Sequence, residues 1–355
     1  MSFRPPSPNS RATDVAQAAT GQDVAALAGV SRTAVSLIMN GRAAHHGLSA
    51  ATQARVRLAA KSLGYTPNHA ARSLRRQRTN IITFMTSDPG NRYFAEVLAA
   101  AEQAAIARGY VVNIMVARSD NAEAEAIERL CGGVSDGLVV HGGSPHTGER
   151  LMRLRQRGLA CVLLQDSGSV PDVACVRVDI AEGARLATQH LLALGHARIG
   201  HITDVRLSGA IINDRLAGYR QALEGAGIGF DPGLVVAGVN SFAGGDVAMR
   251  AMMGLGETPS AVFVFNDQMA IGGLHALASL GLRVPEDVAV MGFDGTDLGA
   301  FSTPELSTID HPRQELGRLA ATSVLDQIEG KSVPALEVLP VRLVVRRSCG
   351  GRIGK

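Results

Sequence analysis

From Ile81 onward one unit recurs along the chain: a helical pattern, a glycine, then a short apolar run. Gly109, Gly195 and Gly281 each sit where a helical pattern ends. Each is followed within a few residues by such a run, Tyr110–Met115, Ile199–Ile202 and Val288–Met291. A glycine just past a helix adopts the left-handed backbone that closes its last turn. Between the runs, apolar residues fall at helical spacing, as at Phe94, Val97, Leu98, Ala101 and Ala105. Ile81–Thr86, Tyr110–Val116 and Gly137–Val140 read as strands. Repeated strand–helix units imply an α/β fold of parallel sheets with helices on both faces. The 275 residues after position 80 are too many for one such sheet. Two similar lobes are expected, the first from 81–179 and 311–332, the second from 180–310 and 333–350, with three crossings between them.

The first 80 residues differ in kind. They hold 11 Lys+Arg against two acids, Asp14 and Asp23, a net +9; the other 275 hold 24 basic and 30 acidic side chains, a net −6, giving the formal +3 of the chain. A basic head on a mildly acidic body points to a polyanion partner for the head alone. Residues 1–19, rich in Pro, Ser and Ala, read as a disordered lead. Residues 20–66 read as a helix-turn-helix domain. Val24, Leu27 and Ala28 form one apolar stripe, Gly29 permits the turn, Val30 plugs it, and Ser31 caps a second helix whose inward face is Val35, Ile38 and Met39. A third helix is expected over Ser49–Leu63, with Val56, Ala59, Ala60 and Leu63 inward and Gly64 as its stop. Pro67 disfavours helix at Thr66, so residues 67–80 form a hinge. The second helix would enter the DNA major groove with Arg32, Thr33 and Ser36 toward base edges. Arginine can read guanine bidentately. Arg55, Arg57, Arg72, Arg75 and Arg76 are candidate phosphate contacts, which position without reading sequence.

Several classes are excluded. No apolar run approaches the roughly 18–20 residues that span a bilayer, and MSFRPPSPNSRATD lacks the apolar segment of a secretory signal. Cys131, Cys161, Cys175 and Cys349 lie far apart with no CxxC pair, which suits a reduced cytoplasm and neither zinc nor a disulfide frame. There is no GxGxxG, GxSxG, P-loop or HExxH. His141, His146, His196 and His201 are scattered and read as structural or solvated.

The stretch DVAALAGVSRTAVSLIMNGR resembles the headpiece of the lactose/galactose repressor (LacI/GalR) family, and YTPNHAARSLRRQRT its hinge. The resemblance continues through NRYFAEV, GLVVHGG, ALGHARIGHI, NDRLAGYRQAL, FVFNDQMAIGGL, VPEDVAVMGFDGTD and PELSTIDHP. It implies a periplasmic-binding-protein-like body behind the DNA-binding head. It assigns base reading to Arg32 and Thr33, with Ser36, Leu37 and Asn40 beside them; Leu37 stands where the family is commonly polar or basic, so that contact becomes apolar or is lost. Arg72 and Leu74 fall in the hinge, Leu74 at the position that wedges into the minor groove. For the effector pocket the resemblance implies Tyr93, Phe94, Arg215, Asp267 and Asp294, with Asn240 and Asp166 more loosely. Asp88, Asn91, Asn266 and Asp267 also follow strands directly, where ligands bind in such folds. The family often has Asn-Pro-Phe-Phe where this chain has Asn91-Arg92-Tyr93-Phe94.

The expected function is a cytoplasmic, homodimeric, effector-controlled transcription regulator, a repressor acting at a pseudo-palindromic operator. Its effector is a small polar molecule, a sugar first, with nucleobases and phosphorylated sugars open. No cofactor, metal or membrane partner is expected. Helices near Phe94–Arg108 and the Phe263–Leu280 region are the expected dimer contact. A transport binding protein would fit the lobes but not the basic head or the missing signal. An enzyme would need a catalytic motif that the sequence does not carry.

Overall fold

The computed structural model describes residues 19–41, 43–66, 78–165, 170–204 and 210–351, the side chains of Ala210 and Ile211 excepted. They fall into two bodies, one within residues 1–77 and one within 78–355.

The first body holds α1 (Gly21–Ala28), α2 (Arg32–Met39) and α3 (Ala50–Ser62). Each begins on a side-chain cap. Thr20 and Asp23 form a reciprocal capping box, Ser31 Oγ accepts from Ala34 N at 3.1 Å, and Ser49 Oγ accepts from Thr52 N at 3.2 Å. Gly29 ends α1 at φ 61, a conformation costly for any residue with a Cβ. Val24, Ala25, Ala28, Val35, Ile38, Val56, Ala59 and Ala60 form the core. Leu27 and Leu63 were expected inside and are not: they are exposed, Leu27 by 58%. On a helix of only two turns the buried arc is narrow, and Ala25, one turn before Ala28, takes the inward place assigned to Leu27.

The second body holds two six-stranded sheets. In chain order the first lobe contributes β1 (Ile81–Thr86), α4 (Arg92–Ala107), β2 (Val111–Val116), α5 (Asp120–Cys131), β3 (Gly137–His141), α6 (Thr147–Gln156), β4 (Ala160–Leu164) and β5 (Ala174–Val178). The second contributes α7 (Ile180–Ala193), β6 (Ile199–Asp204), α8 (Ala210–Gly225), β7 (Val235–Gly238), α9 (Phe242–Met253), β8 (Ala261–Val264), α10 (Asp267–Ser279), β9 (Ala289–Asp294), α11 (Asp297–Ala300) and β10 (Ser307–Asp310). Helix α12 (Arg313–Ile328) returns to the first lobe, where Gly317 lets it approach α4 so closely that a Cβ would lie 2.0 Å from Val97 O. Two last strands follow, β11 (Leu336–Leu339) and β12 (Arg342–Val344).

The strand orders are β11-β5-β4-β3-β1-β2 and β12-β10-β9-β8-β6-β7. All pairings are parallel except β10 with β12. The assignment of all of 333–350 to the second lobe is corrected here. Strand β11 pairs with β5, from Leu336 opposite Cys175 to Leu339 opposite Val178, and the chain crosses only afterwards. Its pairing covers the edge that β5 would otherwise leave open.

In each sheet the order reverses once, between β1 and β3 and between β6 and β8. Helices leave on opposite sides there, opening a crevice beyond the strands' carboxyl ends. The fold therefore specifies two half-sites before any side chain is considered.

Candidate functional site

In the headpiece, α2 exposes Arg32 and Thr33 to solvent, with Ser36, Leu37 and Asn40 half-buried along the same helix. Asn40 is also the helix's C-cap, its Nδ2 donating to Ser36 O at 2.6 Å. The hinge residues Arg72 and Leu74 lie outside the described residues, as does Asp166.

In the second body a cleft of about 290 Å³ is lined from both lobes. The first lobe brings Asp88, Asn91, Tyr93, His141 and Gln165; the second brings Arg215, Asn240, Phe265, Asn266, Asp294 and His311. Most follow directly from the carboxyl end of a strand, as the sheet order requires.

Arg215, on the first turns of α8, is 4% exposed. Its guanidinium lies over the ring of Phe265 at 4.1 Å and that of Phe293 at 4.3 Å. Two aromatic faces fix its position. Its Nη2 is 3.7 Å from Asp294 Oδ1, and its Nε and Nη1 have no hydrogen-bond partner among the described residues. Burial opposes the charge on both members of this pair, lowering the proton affinity of Arg215 and raising that of Asp294, while each charge favours the other. Asp294 ends β9 at φ 105, a strained backbone for a residue with a side chain.

On the facing lobe, the Tyr93 hydroxyl accepts from Gln165 Nε2 at 2.8 Å, and Gln165 Oε1 accepts from Val178 N at 2.8 Å. Burial holds the phenol well above its ordinary range, so it stays protonated. The His311 ring meets Tyr93 edge-on at 5.4 Å, and neither of its nitrogens has a hydrogen-bond partner among the described residues. Burial pushes His141 down to about 4 and His311 well below its ordinary value, so both are neutral near pH 7. Two further acids at the cleft, Asp120 and Glu123, are paired with Arg150 at 2.8 and 2.9 Å.

Two candidates do not reach the cleft. Phe94 is 0% exposed and packs into the first lobe's core, because on α4 it faces the sheet alongside Val97. Asp267 is also fully buried. It accepts from Thr296 N at 2.6 Å, Thr296 Oγ1 at 2.9 Å and Thr308 Oγ1 at 2.6 Å. It ties the loop after β9 to β10, and burial pushes its carboxyl up to about 6. Its neighbour Asn266 lines the cleft and caps α10 as well, its Oδ1 accepting from Met269 N and its Nδ2 donating to Asn240 Oδ1, both at 2.9 Å.

Sequence reasoning missed Gln165 and His311 and read His141 as structural or solvated. All three sit at or just past the carboxyl end of a strand, the same signal that found Asp88 and Asn266.

Comparison with known proteins agrees with this anatomy. Residues 20–68 match the bacterial regulatory proteins of the lacI family, and residues 188–349 match a periplasmic binding protein-like domain. The ribose operon repressor of Escherichia coli (strain K12) is 35% identical over 311 residues, 87% of this chain and 93% of that protein. Among solved structures, the Lac repressor dimer bound to operator and the anti-inducer ONPF aligns with TM-score 0.83 at 28% identity, covering 94% of this chain and 99% of that one. A complex of the transcriptional regulator CelR with cellobiose aligns with TM-score 0.70 at 31% identity, covering 93% and 99%. The chain belongs to the lacI family of bacterial regulatory proteins, and is a DNA-binding transcriptional regulator and not an enzyme.

Proposed function

We propose that this regulator is a repressor that binds a pseudo-palindromic operator as a homodimer and is controlled by a hydroxyl-rich effector, a sugar, held in the cleft. The observation that carries the effector reading is Arg215: a buried guanidinium with two N–H groups that have no partner among the described residues, beside the Asp294 carboxylate. Unpaired donors in a dry site are costly unless a ligand supplies acceptors. A hydroxyl both donates and accepts, so it suits a guanidinium and a carboxylate together. A small cleft whose acids are at least as many as its cations favours a neutral ligand over a phosphorylated one. That the CelR structure holds cellobiose supports the sugar class.

Arg32, Thr33, Ser36, Leu37 and Asn40 would meet base edges, with Arg72 and Leu74 acting from the hinge. Dimerisation follows from surface chemistry. In the expected contact, the helices near Phe94–Arg108 and the Phe263–Leu280 region, Phe94 and Phe263 are buried but Ile106 and Leu280 are exposed. Apolar side chains are also exposed on β2 (Val111, Ile114, Val116), on α9 (Phe242, Val247) and at Phe301, which is 87% exposed. Such groups mark an interaction surface. Among the described residues no helix is long and apolar enough to cross a membrane, and a cytoplasmic location fits a DNA-binding regulator.

The test is a thermal-shift screen of neutral sugars, sugar phosphates and nucleosides, followed by calorimetry. A neutral sugar should bind the wild type and not the Arg215→Met variant. A best ligand of another class, or equal binding by the variant, overturns the effector reading.

A further inference from the structure

The first two turns of α4 grip the loop that carries Asp294, although that loop belongs to the other lobe. Arg92 and Glu96 are four residues apart and so share one face of α4. Arg92 reaches across to Asp297 with two parallel bonds, Nε to Oδ1 at 2.9 Å and Nη2 to Oδ2 at 2.5 Å. Such a fork fixes orientation as well as distance. Glu96 Oε2 accepts from Arg313 Nε at 2.8 Å. The same Arg313 donates through Nη1 to the main-chain carbonyl of Asp294 and, at 2.9 Å, to Asp310 Oδ1. Asp310 is held from its other side by Arg342, 2.8 Å away, on β12.

These bonds converge on the strained stretch of the site. Asp294 has φ 105 and Gly295 φ 67, and a Cβ at Gly295 would lie 2.3 Å from Asp310 Oδ1. A backbone held in such a conformation needs its surroundings to impose it. Arg92 is placed against its own helix: a cation in a first turn opposes the helix dipole. Asp297, in the first turn of α11, is the partner that offsets this placement.

We propose that Arg92, Glu96 and Arg313 are positioning residues: with Asp297 and Asp310 they form an ionic strap between the lobes that presets the Asp294 carboxylate before any effector arrives. The strap rests on the reading of the cleft as the effector site, but its test needs no effector. None of the three is needed to touch the ligand. The strap couples motion of the first lobe to the one loop of the second lobe that presents both a cleft carboxylate and a strained backbone. The Arg92–Asp297 pair is about half exposed, so its part of the coupling is weak and adjustable by salt.

Hydrogen exchange read by mass spectrometry on the full-length, ligand-free protein tests it. The variants are Arg92→Gln, Asp297→Asn, Arg313→Met and the charge swap Arg92→Asp/Asp297→Arg. Arg92→Gln should speed exchange of residues 295–301 in the other lobe roughly two- to fivefold, and Asp297→Asn should do the same to the first turns of α4. Raising salt should reproduce the effect in the wild type and add little in either variant. The swap should restore slow exchange on both sides, while α9 is unchanged throughout. A merely local structural role would move only the mutated residue's own lobe. Effects confined in that way, or a swap that leaves both segments fast, would overturn the proposal. Arg313→Met reads the second arm independently, and unaltered exchange of residues 294–297 would remove that arm.

Discussion

The Arg215–Asp294 pair should be a stability cost retained for binding, and its removal tests that directly. In the double variant Arg215→Met/Asp294→Asn, methionine keeps a long side chain between Phe265 and Phe293 and can make sulfur–aromatic contacts. Asparagine tolerates positive φ. The charged atoms lie 3.7 Å apart, beyond good hydrogen-bond reach, and both residues are less than 10% exposed. At an effective dielectric constant of about 20 their attraction is about 4 kcal/mol. Against it stands a desolvation cost of several kcal/mol per ion. The double variant should therefore be as stable as wild type or more so, by up to about 4 kcal/mol. Asp294→Asn alone leaves the guanidinium uncompensated and should be less stable than wild type by about 3 kcal/mol. Urea denaturation of ligand-free protein, followed by circular dichroism, measures all three. A double variant less stable than wild type by more than about 1 kcal/mol would refute the reasoning, because the pair would then be part of what holds the lobes folded.

Arg32→Ala should weaken operator binding by about 1–3 kcal/mol and relax preference at one base position, whereas Arg57→Ala should weaken all sequences alike and lower the salt slope by about 1; titrations across operator variants and salt separate the two. Phe301→Asp should convert the dimer to a monomer on analytical ultracentrifugation, and a dimer that persists at micromolar concentration removes Phe301 from the interface. His201 is fully buried, stacked on Tyr219 and Phe263, and burial holds it down to about 4. Its unfolded form takes a proton near 6.5, so the stability it contributes is complete above that pH and is lost as pH falls toward 4, by at most about 3 kcal/mol. His201→Phe should flatten the fall in urea midpoint between pH 7 and pH 4.5; an equally steep fall would assign the acid sensitivity to other groups.

The order of elements was legible because glycines and apolar runs mark boundaries locally. Gly109, Gly195 and Gly281 do take positive φ, at 75, 95 and 72. What a strand pairs with was not legible: β11 and β12 are short, similar runs separated by two residues, yet they join different sheets. In the site, the rule that ligands meet strand ends found Asp88, Asn91, Asn266 and Asp294 but could not separate neighbours. Asn266 and Asp267 are adjacent, but Asn266 is the N-cap in extended backbone and Asp267 opens α10, so the neighbouring side chains point apart: one lines the cleft and the other binds Thr296 and Thr308 inside. Phe94 was lost to the core for the same reason, one residue from Tyr93. The strap at Arg92 was invisible because Asp297 lies 205 residues away and only the meeting of the lobes brings them together.

The central claim is that occupancy of the cleft controls DNA binding by the head. The direct measurement is retardation of the promoter fragment beside the protein's own gene, across salt, with and without the sugar found by thermal shift, for wild type and Arg215→Met/Asp294→Asn. The account predicts specific retardation that weakens as salt rises, that responds to the sugar in the wild type, and that ignores it in the double variant. Retardation independent of salt, or a sugar response that survives in the double variant, would contradict it.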